Sequence, residues 1–358
     1  MSFNPNVAYN NLPEILPDEK YWRTLSIYEQ ANRANRALAE LKGQLSAIPN
    51  PKIFINSLTL QEAKDSSSIE NIFTTHDKLF KAFTVENIAD PHTKEVLRYG
   101  KSLTDAFLFI KDKNEFSIEL IERIYQNIKD KKDGIRDFSV YIGNTFTTIY
   151  TPPCCKKVII EKLNNWLLVA NNKNDEIDPL IKLAILHYQF ESIHPFKDGN
   201  GRTGRVMNVL LLSAYNLLDD PILYLSKYIN EYKNDYYRLL REVTEKNQWQ
   251  NWILFLLKAI EETSKYTLQK VLSIIDLFNQ TKKKIQNQLP EIYSFELLEI
   301  LFIQVYSKYA FLIEKGIASR NTASKYLNKL TEAGILDKEK IGNEYIFKNI
   351  GLYKILKG

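Results

Sequence analysis

The chain has 358 residues with 48 basic and 43 acidic side chains, and its net charge of +5 is too small to indicate a nucleic-acid partner by itself. It contains only 12 glycines and 12 prolines, below the usual ~7% and ~5%, which favours a mostly helical protein long enough for two domains. The only cysteines, Cys154 and Cys155, are neighbours, which excludes a disulfide framework and favours a reducing compartment.

The N-terminus does not have the pattern of a secretory signal, because no basic start is followed by an apolar run. Apolar runs such as NWILFLLKAI are too short to span a bilayer. We therefore expect a cytoplasmic protein with no membrane association.

The first half of the chain predicts an extended arm followed by helices. Residues 1–20 carry three prolines among asparagines, whereas apolar residues recur at three and four from Tyr21 to Leu45. SLTLQEAKDSSSIENIFTTHDKLFKAF predicts a helix, an interruption and a second helix. Further helices are expected at 94–112, 117–131 and 156–170, separated by one hairpin at 138–153 that is centred on Gly143-Asn144 and closed by two prolines.

Two buried helices are predicted to flank the segment HPFKDGNGRTGR, which spans residues 194–205. The first should begin at Asp178-Pro179, because Asp caps helices and Pro suits the first helical position. It should end near Ile193, since Pro195 disfavours helical geometry at His194. The second, VMNVLLLSAYNLL, is expected to start just after Gly204, which makes 194–205 a loop between the two.

From about residue 290 the pattern predicts a winged helix-turn-helix unit. Three short helices precede ILDKEKIGNEYIFKN, a hairpin that turns at Gly342-Asn343. The second helix of its helix-turn-helix motif carries Arg320, Lys325 and Lys329, a basic face that suits DNA. Such domains also serve as protein-contact or dimer surfaces.

The 194–205 segment has the composition of an anion-binding loop. Gly199, Asn200 and Gly201 offer backbone amides with little side chain in the way, at the start of a helix. Arg202 and Arg205 are about one turn apart, so both guanidiniums can face the same end, which suits more than one phosphate group.

Asp198 and His194 complete the expected chemistry of this loop. A carboxylate beside phosphates needs a bridging cation, for which Mg²⁺ is suited. His194, at a helix end, is a candidate base for an attacking hydroxyl. The alternative for any two of these residues is a capped turn with surface ion pairs, but all seven in this order favour a phosphate site.

These residues resemble a known family. HPFKDGNGRTGR is similar to the signature H-x-F-x-[DE]-G-N-G-R-x-x-R of the Fic (filamentation-induced-by-cAMP) family, with every position filled. DPLIKLAILHYQFESIHPF resembles the family's preceding helix, GIRDFSVYIGNTFTTIYTPP resembles its flap, and the C-terminal unit resembles the winged helix of many bacterial members. The resemblance implies transfer of AMP from ATP to a Ser, Thr or Tyr hydroxyl of a protein.

The resemblance also implies a mainly α fold, a Fic-type helical bundle with a small β-hairpin flap followed by a winged helix-turn-helix domain. The implied division is residues 1–112 as an N-terminal region, 113–260 as the catalytic core, 261–289 as a linking helix and 290–358 as the winged helix domain.

Site roles follow from the same resemblance. His194 is expected to deprotonate the target hydroxyl, and Asp198 to hold Mg²⁺ against the phosphates of ATP. Phe196 is expected to pack the loop onto the core, and Gly201 favours AMP transfer because a related kinase group has lysine there. The expected nucleotide and target contacts are Glu70, Thr147, Thr148, Ile149, Tyr150, Asp198, Gly199, Asn200, Gly201, Arg202, Thr203, Gly204, Arg205 and Tyr237.

The stretch SSSIEN at 66–71 has two interpretations. Ser67 and Glu70 have the spacing of a capping box that would start the second helix of that region. The stretch also resembles the family's inhibitory motif, [ST]-x-x-x-E-[GN], with Ser66 and Glu70 as the regulatory residues. The resemblance implies that Glu70 pairs with Arg205 and so forces ATP into a non-productive pose.

Several functions stay open at this point. The same glutamate would suit the reverse reaction, removal of AMP from a modified protein. A DNA-binding regulator whose Fic domain senses nucleotide is the alternative class. The partners expected are ATP and an unidentified target protein, with self-modification and a homodimer also open.

Overall fold

The structure, a computed structural model, describes residues 3–46, 50–85, 87–143 and 146–357, and it is mainly helical as predicted. The helices are α1 (Leu25–Ser46), α2 (Lys52–Ile69), α3 (His76–Thr84), α4 (Pro91–Lys113), α5 (Ile118–Lys129), α6 (Lys156–Asn171), α7 (Pro179–Ile193), α8 (Asn200–Ala214), α9 (Leu225–Glu231), α10 (Lys233–Lys246), α11 (Trp249–Gln288), α12 (Phe295–Ile303), α13 (Tyr309–Glu314), α14 (Arg320–Glu332) and α15 (Ile350–Lys357). The strands are β1 (Ile142–Gly143), β2 (Thr148–Tyr150), β3 (Tyr306–Ser307), β4 (Leu336–Ile341) and β5 (Glu344–Asn349).

Helix α7 has the ends that its sequence predicts. The Asp178 carboxylate accepts a hydrogen bond of 2.8 Å from the Leu180 N–H, and Pro179 is the first helical residue. The helix ends at Ile193 because His194 adopts a left-handed conformation with φ of 49°. Nearly every residue of α7 is buried, which makes it the centre of the helical bundle and a rigid support for His194.

Helix α8 begins earlier than expected. The prediction of a start just after Gly204 is wrong, because the helix begins at Asn200. Gly199, in the left-handed region with φ of 84°, turns the chain into the helix. The backbone N–H of Thr203 and its hydroxyl both donate to the Gly199 carbonyl at 3.0 Å and close the first turn. The second half of the 194–205 segment is therefore the first turns of a helix.

The capping-box interpretation of SSSIEN is also wrong. Ser66 and Ser67 lie inside α2, which continues to Ile69 and has Glu70 as its C-terminal cap residue. The next helix starts only at His76, where the Thr75 side chain accepts from the Lys78 N–H at 3.2 Å. Glu70 consequently projects from the C-terminal end of α2.

The expected hairpin at 138–153 is present as strands β1 and β2. They pair antiparallel, with Ile142 opposite Tyr150 and Gly143 opposite Thr148, and the register shifts between the two pairs. The predicted turn residue Asn144 lies outside the described residues.

The C-terminal unit has the three helices and the wing that the sequence predicts. Helices α12, α13 and α14 precede the β4–β5 hairpin, and β3 joins its other edge to give a sheet of order β3-β5-β4. The pairing of β3 and the terminal helix α15 were not predicted. Helix α11 continues for 40 residues across the expected division at 260/261.

This C-terminal unit docks on the two helices that flank Glu70. Tyr306 donates its hydroxyl to Asp77 of α3 at 2.5 Å, and Lys81 of α3 pairs with Glu339 of the wing at 2.7 Å. On α2, the Gln61 side chain donates to the Leu356 carbonyl. Among the described residues, none of the helices combines the length and apolar character needed to cross a membrane.

Candidate active site

His194 is the first residue after α7, where the segment that leads to α8 begins, and it is half-buried and held by backbone contacts. Its Nδ1 is 3.4 Å from the Glu191 carbonyl oxygen, and because a carbonyl only accepts, we assign the proton to Nδ1. Nε2 then carries the lone pair that a base needs. Burial first, and then the nearby Arg136 guanidinium, lower the pKa of His194 to about 4, so the imidazole is neutral at pH 7.

Arg136, which the sequence analysis did not select, ties the base to the flap. Its backbone N–H donates to the Pro195 carbonyl at 3.0 Å, and its Nε donates to the His194 carbonyl at 2.9 Å. Its Nη atoms donate to Phe138 and Pro153, at 2.7 and 2.8 Å, at the two ends of the flap segment. Arg136 is only 3% exposed. One guanidinium therefore fixes the spacing between the flap and His194.

We expect Arg136→Met to lower both stability and activity. Its loss removes the donor to the carbonyls of His194, Phe138 and Pro153, of which the bond to Pro153 is buried, so the free energy of unfolding should fall by about 2–4 kcal/mol. Arg136→Lys should recover little of this, since an ammonium cannot reproduce the planar fork. Urea denaturation measures the effect, and the control Arg241→Met removes an exposed guanidinium that pairs with Glu245 one helical turn away. Equal stability of Arg136→Met and Arg241→Met would contradict this role.

The loop after His194 is fixed to the start of α8. The Asn200 side chain accepts from the Phe196 N–H and donates to the Phe196 carbonyl, both at 2.8 Å. Phe196 is fully buried and stacks on Tyr125 with ring centroids 4.0 Å apart, so it packs the loop onto the core as expected. Gly199 provides no side-chain cap for the first amides of α8, and uncapped amides at a helix start are the groups that an anion can bind.

Arg202, in the first turn of α8, is buried at 1% exposure, and its Nη1 contacts Glu95 of α4 at 2.5 Å. Among the described residues its buried Nε has no hydrogen-bond partner. The same Glu95 oxygen is 3.1 Å from the Lys129 ammonium, which lies 2.7 Å from Asp198. Burial raises the pKa of Asp198, but the Lys129 hydrogen bond and charge outweigh it, so the pKa lies below its usual value and the carboxylate is ionised.

The residues fit a Mg²⁺ ion that is shared with a nucleotide. Within the described residues no group of three or more His, Cys, Asp or Glu side chains could hold a metal alone. Mg²⁺ commonly binds one or two carboxylates together with substrate phosphates. The Asp198 side chain is 66% exposed beside the amide end, and Arg202, whose Nε has no partner among the described residues, lies in the first turn of α8. A single accessible carboxylate beside an anion site suits that mode of binding.

Glu70 and Arg205 form an ion pair with Arg205 Nη2 and Glu70 Oε1 2.8 Å apart. Ser66 accepts two further bonds from Arg205, at 2.8 Å through its hydroxyl and 2.9 Å through its carbonyl. Burial raises the pKa of Glu70, but the Arg205 charge outweighs it and holds the pKa below its usual value. A Cβ at Gly201 would collide with the Glu70 carboxylate and the Arg205 guanidinium, so glycine makes room for the pair.

Other residues expected at the nucleotide already have protein contacts. The buried Thr203 hydroxyl donates to Gly199, as described above, and Gly204 lies against the Glu191 carboxylate, which a Cβ would meet. Tyr236 is buried against His187 with its hydroxyl 2.9 Å from Nε2, whereas Tyr237 is 45% exposed. Burial, followed by the charge of Glu70, raises the pKa of Tyr237 to about 12, and the Tyr237 ring contacts that of Tyr236 with centroids 5.2 Å apart.

The flap residues divide between an exposed and a buried side. Thr148 is half-buried and Ile149 is 37% exposed, whereas Tyr150 is buried and donates its hydroxyl to the Ser192 carbonyl at 2.8 Å. Thr147 precedes the strand and has protein contacts of its own. From the N-terminal arm, the Tyr9 N–H donates to the carbonyl of Thr151, next to the flap strand, at 2.9 Å.

Comparison with known families accounts for most of the chain. Residues 113–212 match the profile described as Fic/DOC family, and residues 28–108 match Fic/DOC family N-terminal. Residues 277–352 match the C-terminal domain described as protein adenylyltransferase SoFic-like.

Individual relatives are more distant. The chain is 28% identical over 186 residues to a probable protein adenylyltransferase of Aquifex aeolicus, covering 49% of this chain and 55% of that protein. It is 34% identical over 117 residues to a protein adenylyltransferase of Caenorhabditis elegans, covering 29% of this chain and 21% of that protein. The chain thus spans about half the length of the first relative and a fifth of the second.

Solved structures show the same fold. A Fic family protein from Desulfovibrio desulfuricans superposes with a TM-score of 0.58 at 18% identity, covering 92% of this chain and 97% of that chain. Fic-1 from Caenorhabditis elegans gives a TM-score of 0.51 at 18% identity, covering 70% of this chain and 74% of that chain.

Proposed function

Because this chain belongs to the Fic/DOC family, we propose that it is a protein adenylyltransferase that moves AMP from ATP to a hydroxyl of a protein and that Glu70 inhibits it. The observation that carries the proposal is the junction at His194. A neutral imidazole, whose Nε2 has no hydrogen-bond partner among the described residues, lies two residues from Phe196, which Asn200 fixes to the uncapped amides of α8. A base and an anion site are thereby held in one rigid loop.

The reaction uses these groups as follows. The target oxygen attacks the α-phosphorus of ATP while Nε2 of His194 takes its proton. A bond forms between that oxygen and phosphorus, and the bond to the β-phosphate oxygen breaks, so pyrophosphate leaves with the electron pair. The amides at the start of α8 stabilise the negative charge on the α-phosphate oxygens. Mg²⁺ bound by Asp198 would neutralise charge on the phosphates.

The flap is assigned to the target protein. Its strand β2 is short, and Arg136 fixes the ends of its segment relative to His194. An extended target segment can add to such a strand through backbone hydrogen bonds, which places a hydroxyl without demanding one sequence. This proposal covers residues Thr147 to Tyr150.

The Glu70–Arg205 pair is assigned to inhibition. Arg205 has three bonds to Ser66 and Glu70, so the guanidinium is already engaged before a nucleotide arrives. A terminal phosphate would have to compete with Glu70 for the same Nη2, because that nitrogen is the donor that faces the carboxylate. The pair consequently favours nucleotide poses that leave Arg205 with Glu70.

No observation favours DNA binding as a second function. Of the three basic residues on α14, Lys329 is bonded to Glu291 at 2.5 Å, which leaves Arg320 and Lys325 exposed. Two exposed charges are a weak basic face. DNA binding stays a prediction, as does removal of AMP.

Intact-mass measurement tests the proposed activity. Full-length protein with Glu70→Gly is incubated with Mg²⁺ and ATP, and we expect a gain of one AMP by self-modification. The matched control is the same incubation with a non-hydrolysable α,β-linked ATP analogue, which cannot release pyrophosphate. No adduct on the protein or on proteins of a cell extract would contradict the assignment.

A further inference from the structure

The metal-binding candidate Asp198 already has a cationic partner in the chain itself. Its Oδ1 accepts from the Gly199 N–H at 2.7 Å, and its Oδ2 lies 2.7 Å from Lys129 Nζ. Each carboxylate oxygen therefore already has one partner within the chain, although the side chain is 66% exposed. Lys129 belongs to α5 and is 69 residues away along the chain, so tertiary structure creates the contact.

Lys129 is held in place rather than merely near the loop. Its side chain is only 13% exposed, and its Nζ also contacts Glu95 at 3.1 Å. The alkyl stem passes against Gly199, where an added Cβ would lie 3.2 Å from Lys129 Cδ and 3.3 Å from Cγ. Glycine at this left-handed position thus accommodates the lysine as well as the turn.

Lys129 and Asp198 belong to a cluster of four charged side chains whose charges sum to zero. Asp198 and Glu95 contribute two negative charges, and Lys129 and Arg202 contribute two positive ones. Removal of the ammonium would leave one negative charge in excess at the site where an anion must bind. A bound Mg²⁺ would cancel that excess, but a metal-free nucleotide would meet it as repulsion.

We propose that Lys129 is a positioning residue that neutralises Asp198 before the nucleotide arrives, so that the site binds nucleotide even without Mg²⁺. The inference rests on the proposed nucleotide site. Under this inference, Lys129 and Mg²⁺ both compensate the negative charge of the Asp198 carboxylate. Since Glu95 bonds both Lys129 and Arg202, it links this lysine to the buried arginine in the first turn of α8.

Calorimetric titration with ATP tests the inference, in EDTA and in Mg²⁺, on the full-length protein. For Lys129→Met we expect Kd in EDTA to rise about tenfold, as for loss of one neighbouring charge, while Kd in Mg²⁺ changes less than about threefold. Lys129→Arg should restore the wild-type ratio of the two values. Lys132→Met, which removes an exposed lysine of the following loop, is the matched control and should keep that ratio.

Equal weakening in both buffers would overturn the inference, because it would indicate a structural defect instead of charge compensation. An unchanged ratio would overturn it too. If Lys129→Met does not fold, Lys129→Gln, which is also neutral but keeps a hydrogen-bond donor, gives the same comparison. Wild-type protein that binds no ATP in either buffer would contradict the proposed function itself, so the two failures are distinguishable.

Discussion

Glu70→Gly is expected to raise the initial rate of AMP transfer about ten- to hundredfold over the wild-type rate, since a charged hydrogen bond of ~1.5–3 kcal/mol is removed. The larger values for fully buried pairs do not apply here, because the Glu70 side chain is 31% exposed. Without the carboxylate, Arg205 keeps its two contacts to Ser66, one of them through Nη2, and the N–H of Nη2 that pointed at Glu70 becomes available to a phosphate. Radiolabelled ATP and timed filter binding measure the rate.

A graded series separates charge from shape at this position. Glu70→Gln keeps a side chain of the same length without the negative charge, so its rate should lie between those of wild type and Glu70→Gly. The matched control, Glu115→Gly, removes an exposed loop glutamate and should leave the rate unchanged. Wild-type rates in both Glu70 variants, with ATP binding intact, would exclude inhibition by this pair.

The Glu70→Gln variant also separates loss of the charge from a change in backbone freedom at position 70. Glu70 is the residue that ends α2, and the following Asn71 is already left-handed with φ of 61°. Glycine at position 70 increases the conformational freedom of the backbone there. The thermal midpoint of the Glu70→Gly variant can therefore fall even when its rate of AMP transfer rises. Glu70→Gln does not change backbone freedom, and an increase in its rate would therefore identify the charge as the cause.

Sequence was most informative where local chemistry decides the structure. The start of α7 follows from Asp178 and Pro179 alone, and its end follows from the proline after His194. The wing hairpin at Gly342-Asn343 was likewise predicted from turn chemistry, and strands β4 and β5 end and begin on either side of it. In each case residues within a few positions of one another determine the outcome.

The start of α8 shows where local patterns fail. Glycines at 201 and 204 lower helix propensity, so the segment resembled a loop as far as residue 205. Tertiary contacts override that propensity, because Gly201 must admit the Glu70–Arg205 pair and Gly204 must admit Glu191. Glycine in these first turns reflects close packing, which a sequence pattern alone does not distinguish from flexibility.

Part of the candidate site could be predicted from the sequence because its residues are contiguous. The contiguous segment from His194 to Arg205 could be selected by its own order of residues. Arg136, Lys129 and Glu95 lie 58 to 107 residues from their partners in that segment, and nothing in their local sequence indicates these contacts. Only the fold brings the three side chains to the loop.

His194→Ala in the Glu70→Gly background is expected to reduce the rate of AMP transfer by about 10²–10⁴-fold, the range for loss of a general base. ATP affinity should change little, because the proposed function assigns the phosphates to the α8 amides and the arginines rather than to the imidazole. Initial rates and calorimetry on the same preparations separate the two effects. His92→Ala, at a histidine exposed near the start of α4, is the matched control. A fall in ATP affinity as large as the fall in rate would contradict a role as base.

The pH profile supplies an independent check on the same residue. Burial and Arg136 hold the pKa of His194 at about 4, below the ordinary value of ~6.5, so the neutral, basic form persists to lower pH. At pH 5.5 the imidazole of His194 would still be mostly neutral, whereas an unperturbed histidine would be mostly protonated. We therefore expect kcat/KM to stay flat from pH 8 to 5.5 and to fall only as pH approaches 4. A tenfold fall between pH 7 and 5.5 would show that the base titrates like an exposed histidine, and the burial argued for His194 would then not control its chemistry.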